Sequence, residues 1–68
     1  MKELIFMVEE AAEGGYTARA LGVSIFTEAD SLVELRGEIR DAINCHFEGE
    51  HQPKIIRLHF VKEEMMVI

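Results

Sequence analysis

Cysteine, proline, tryptophan and basic residues are all scarce in this 68-residue chain, and each shortage removes a class of protein. The single cysteine, Cys45, cannot form an internal disulfide and fits a reducing compartment. Without a cysteine cluster there is no basis for a structural zinc site. Seven Lys and Arg stand against thirteen Asp and Glu, a net charge of -6. That balance repels phosphate backbones and anionic membranes, whose capture needs clustered cations. With no tryptophan and one tyrosine, Tyr16, the chain lacks a stacking platform for single-stranded RNA. No apolar run approaches the ~20 residues that span a bilayer. Acids at Glu3, Glu9 and Glu10 flank the first apolar run, so it does not read as a secretory signal. The expectation is a soluble, cytoplasmic protein that touches neither nucleic acid nor membrane directly and suits a basic partner.

What is present is an ordered core. Apolar residues make up 49% of the chain, too many for a disordered segment. One domain, residues 1–68, is the natural division at this length. A domain so small buries a limited share of its surface, so a lone core is marginal. With disulfides and zinc excluded, a homo-oligomer, dimer or higher, is the expected reinforcement.

Residues 4–8 (Leu-Ile-Phe-Met-Val) form a continuous apolar run, the mark of a central strand covered on both faces. Gly14-Gly15 permits a tight reversal into a second strand at 16–21, with Tyr16, Ala18 and Ala20 on one face. Gly22 precedes a short third strand at 23–27. Asp30 or Ser31 then caps a helix over 31–48, with Glu34 at capping-box spacing from Ser31 and Gly49 as its terminator. Leu32, Leu35, Ile39, Ala42, Ile43 and Phe47 recur at helical spacing, a stripe that outweighs the interior Gly37. Residues 54–61 form a fourth strand, with Ile56, Leu58 and Phe60 on one face, and the tail 63–68 ends in Met-Met-Val-Ile. Such a tail calls for a packing partner.

The pattern β-β-β-α-β predicts an α+β two-layer sandwich. Three strands form an antiparallel meander, and a right-handed crossover sets the fourth beside the first, giving a mixed sheet of order 3-2-1-4. One helix covers one face. The other exposes Ile5 or Met7 and Ile55 or Val61, and expects a second copy or a partner.

Catalytic constellations are not evident. A two-metal nuclease needs carboxylates converging from several strands, and the interior of the first strand has none. Glu9, Glu10 and Glu13 crowd the hairpin, while Glu34, Glu38 and Asp41 alternate with Arg36 and Arg40, a solvated face with (i, i+4) pairing. Cys45 and His46, adjacent on a helix, diverge and cannot act as a dyad. His46, His51 and His59 have no metal-ligand spacing, and Cys45 reads as a small buried residue. Gly14-Gly15 leads into a strand, not a helix, so it cradles no phosphate. No catalytic, cofactor or metal residue is assigned.

The glycine-led hairpin into Tyr16-Thr17-Ala18, then Thr27, Asp30-Ser31-Leu32, Glu34-Leu35 and Asp41-Ala42-Ile43, resembles the HicB-like antitoxin family. With the flanking strands the resemblance spans nearly the whole chain. It implies a partial ribonuclease H-like fold without that enzyme's active site. It also implies neutralisation of a small basic ribonuclease toxin; for such a partner the helix acids Glu34, Glu38 and Asp41 are the expected steering charges. Two departures stand out: Leu21-Gly22-Val23 replaces a Pro-x-x-Pro-Gly-like stretch, and no DNA-binding segment follows the fourth strand. The first weakens transfer of toxin contacts; the second leads to the expectation that the chain does not bind an operator by itself. The alternative expectation is a stand-alone small-molecule or peptide-binding module.

Overall fold

Strand formers and turn glycines divide the chain as their chemistry requires, in a computed structural model that describes residues 2–62 and 64–68. Strand β1 (Glu3–Glu10) turns into β2 (Tyr16–Ala20), which turns into β3 (Phe26–Ala29). Helix α1 (Leu32–His46), a 3₁₀ turn (Gly49–His51) and strand β4 (Ile55–Val61) complete the order. The sheet runs β3-β2-β1-β4. β1 is antiparallel to β2 and parallel to β4, and β2 is antiparallel to β3. The α+β class and the 3-2-1-4 order expected from the sequence are therefore those of the protein.

Alternation along the pleat decides the core. Leu4, Phe6 and Val8 of β1 turn toward the helix and are buried, while Ile5 and Met7 point to the other face and are half-buried. Ala18 and Ala20 of β2 are buried beside them, small enough to admit the helix at close range. From above, Leu35, Ile39 and Ile43 supply one buried residue per turn of α1. Leu32, Ala42 and Phe47 extend this stripe at its margins. Among the described residues every fully buried one is apolar, while the half-buried Thr27 keeps its hydroxyl oxygen out of solvent with no hydrogen-bond partner. The helix lies closest to β3 and β2 and keeps away from β4. Ile56 and Leu58 still reach the core, but Phe60 on the same face is 56% exposed.

Local chemistry sets the boundaries. Ser31 is the N-cap, its hydroxyl accepting the Glu34 N–H at 3.1 Å; Asp30 does not take that place. The helix stops at His46, two residues before the expected 48, because Phe47 turns extended and packs its ring against the core. Gly49, expected as terminator, instead opens the 3₁₀ turn with φ +47°. The third strand also moves. Residues 23–25, rich in strand formers, make the turn after Gly22: Ile25 donates to the Val23 carbonyl and accepts from Ala20 N–H. Ile25 is buried by that turn, and pairing resumes at Phe26.

Beyond β4 the chain leaves the body. Residues 64–68 have no regular structure, and Met65, Met66, Val67 and Ile68 are all exposed; position 63 of the expected tail lies outside the described residues. The molecule therefore measures 51 Å along one axis against 20 and 17 Å along the others.

Two glycines separate turn geometry from helix propensity. Gly15 has φ +82°, and a Cβ there would stand 2.8 Å from the Ala29 carbonyl oxygen. Gly37, in α1, has open space around it. Gly37→Ala is expected to stabilise the domain by about 1 kcal/mol, and Gly15→Ala to destabilise it by more than ~1 kcal/mol. Urea denaturation of both variants checks the opposite signs.

Candidate functional site

Helix periodicity places Glu34, Glu38 and Asp41 on one exposed flank of α1, four and then three residues apart. The lean of α1 aims that flank toward the β3 side of the sheet. There Glu34 and Glu38 meet Asp30 of the β3–α1 connection around an open cleft of about 410 Å³ that also borders the Glu28–Ala29 end of β3, although the Glu28 side chain alternates with Phe26 onto the open sheet face. Tyr16 and Thr17 form part of its wall and Gly14 its far end. Asp41 continues the ridge beyond the cleft. The sequence pattern identified Glu34, Glu38 and Asp41; it did not group Asp30 with them, since only the pairing of β3 brings it alongside the helix.

The opposite flank of α1 carries Arg36 and Arg40. They border a groove of about 430 Å³ between α1 and β4, floored by Ile39, Ile43, Ile56 and Leu58. Gln52 closes one end, its side-chain amide donating to Asn44 Oδ1 at 3.2 Å. This segregation corrects the expected (i, i+4) pairing of helical acids with Arg36 and Arg40. At that spacing Glu34 faces Glu38 and Arg36 faces Arg40, like beside like. The one ion pair among the described residues joins Arg57 to Glu3 on the open face of the sheet.

Cys45 is exposed, not buried as expected. It lies four residues beyond Asp41, so it belongs to the acidic flank and not to the Leu35-Ile39-Ile43 stripe. His46 packs edge-on against Phe47 with ring centroids 4.9 Å apart. His59 points to the sheet face opposite the helix, and His51 lies in the 3₁₀ turn. The three histidines are therefore not brought together. Among the described residues no group of three or more His, Cys, Asp or Glu side chains is arranged to hold a metal. No helix among them is long and apolar enough to cross a membrane.

The open face carries Ile5 and Met7 at its centre, with Ile55, Arg57, His59 and Val61 of β4 on one side and Arg19 and Phe26 on the other. Phe26 is exposed, as are Ile55 and Val61. Among the described residues no helix covers this layer.

Fold and surface together define a small α+β domain with a one-helix cover, an acidic flank and a bare sheet. Sequence comparison then places it. The chain is 58% identical over 52 residues to a UPF0150 protein of Archaeoglobus fulgidus, covering 76% of this chain and 77% of that one. It is 39% identical over 67 residues to a UPF0150 protein of Thermotoga maritima, covering 98% and 94%. The chain belongs to the UPF0150 family. No family model and no solved structure matches it.

The acidic flank works against the helix that carries it, since like charges at (i, i+4) are destabilising. Glu38→Lys replaces the Glu34–Glu38 repulsion with a favourably ordered Glu–Lys pair. It is expected to raise stability by about 0.5 kcal/mol at low ionic strength, and the gain is expected to shrink in high salt. Thermal melts at two salt concentrations check this.

Proposed function

We propose that this protein is a non-enzymatic, HicB-like interaction domain that binds a small basic protein, as the toxin-neutralising part of a type II toxin–antitoxin pair. The observation that carries the reading is the acidic ridge Glu34, Glu38 and Asp41, extended by Asp30 into a cleft. Four carboxylates on one side of a chain of net charge -6 attract a cationic partner and orient its approach. The resemblance carried by Gly14 through Ile43 supplies the kind of partner, a small basic ribonuclease. Cleft electrostatics supply the mode, in which the toxin's cations are drawn to the helix flank. Self-association belongs to the same reading, since the sheet face opposite the helix leaves Ile5, Met7, Ile55 and Val61 without cover. An exposed free thiol at Cys45 fits a cytoplasmic setting.

A second reading, a module for a small molecule or peptide, is favoured by the groove between α1 and β4. Its apolar floor and its two arginines suit an apolar ligand with an acidic group. The two readings use opposite flanks of the helix and are separable by mutation.

The test pairs the protein with a small basic ribonuclease encoded beside it. Binding is expected at low salt and is expected to weaken steeply as salt rises. Combined Glu34→Gln, Glu38→Gln and Asp41→Asn is expected to lower the association rate about tenfold or more, while Arg36→Gln with Arg40→Gln leaves it intact. Absence of binding by the unaltered protein at low salt would remove the toxin reading. Loss of binding only in the arginine variant would move the interface to the groove.

A further inference from the structure

The two edges of the sheet differ in a way that points to one partner. β3 is four residues long and carries Glu28, the usual protections against strand addition. β4 is seven residues long, pairs with β1 in unbroken register, and has neither proline nor acid along it. Ile55 donates its N–H to the Lys2 carbonyl at 3.1 Å. Alternation along a parallel ladder then turns the N–H and C=O groups of Ile56, Leu58 and Phe60 outward, to the free edge. Those groups lie beside exposed apolar side chains at Ile55, Phe60 and Val61.

The sequence of β4, Ile-Ile-Arg-Leu-His-Phe-Val, is a palindrome in chemical class about Leu58. We propose that β4 pairs antiparallel with β4 of a second copy about a two-fold axis at Leu58, joining two four-stranded sheets into one. Around that axis Leu58 meets Leu58, Ile56 meets Phe60 and Ile55 meets Val61, so every apolar side chain finds an apolar neighbour on its own face. The outward backbone groups of Leu58, Ile56 and Phe60 are the ones that such pairs use for hydrogen bonding. Arg57 comes opposite His59, and Lys54 opposite Lys62 at the solvent-exposed margins. Sliding the register by two residues loses the match. One direction stacks Arg57 on Arg57; the other sets Arg57 against Val61 and His59 against His59. An odd slip places core-side residues opposite open-face residues.

This pairing also gives the tail a destination. A second copy running antiparallel carries residues 64–68 past Pro53 and Gln52, at the mouth of the groove floored by Ile56 and Leu58. The apolar segment that stands away from its own domain thus ends beside the apolar groove of the other.

The inference deepens the self-association part of the proposed function and is independent of toxin binding. Sedimentation velocity of the full chain between about 1 and 100 µM is expected to show a monomer–dimer equilibrium, the range suited to a small edge interface. His59→Glu places a carboxylate opposite Arg57 in both symmetric pairs and is expected to tighten the dimer about fivefold, with His59→Lys loosening it by a similar factor. Phe60→Pro removes an outward N–H without touching the β1–β4 ladder and is expected to abolish the dimer while circular dichroism stays that of the folded chain. A monomer throughout this range overturns both the edge pairing and self-association. A dimer that ignores Phe60→Pro, or that His59→Glu weakens, overturns the edge register alone and leaves a face-to-face association standing.

Discussion

Burial of one helical stripe on one sheet face is the interaction on which the rest of this molecule depends. Leu35, Ile39 and Ile43 close over Leu4, Phe6 and Val8, and among the described residues no fully buried polar residue and no disulfide shares the task. Ala18 and Ala20 let the helix approach β2, and the approach draws α1 toward β3. Everything that distinguishes the surface follows from that lean. One helix flank meets the end of β3 and becomes an acidic cleft. The other flank stands off β4 and leaves a groove. A sheet with a second helix would have neither its bare face nor its unguarded edge.

Much of this was legible in the sequence because the signals were local and periodic. Residues 4–8 announced a central strand, Gly14-Gly15 a reversal, and the 32–47 stripe a helix with one apolar side. Order 3-2-1-4 followed from crossover handedness. Tertiary packing decided the rest. Residues 23–25 have strand-forming side chains but turn, since burying Ile25 outweighs propensity there. Phe47 ends the helix early for the same reason, and Gly49 is released to the next turn.

Charge was the least legible layer. Acids and arginines interleave along α1 in a way that reads as pairing, yet the helix turn sorts them onto separate flanks. Asp30 joins the acidic side only through the strand pairing that brings the end of β3 alongside the helix. Cys45 fell to the same flank, so its exposure was a matter of helix angle and not of residue type. The groove beside Arg36 and Arg40 had no sequence signal of its own. It exists because α1 stops short of covering β4.

The parallel pairing of β1 with β4 shapes how the chain reaches this structure. Hairpins β1–β2 and β2–β3 and the helix close over short distances, whereas β4 must return across the length of the domain to reach β1. Loop entropy is lost before that contact repays it, so the β1–β4 ladder carries the largest closure cost of any strand pairing in the sheet. Until it forms, the most apolar strand of the protein keeps one side of its backbone unpaired. The hazard for this domain is therefore kinetic. During each refolding, Leu4 to Val8 is a sticky edge for as long as β4 is late.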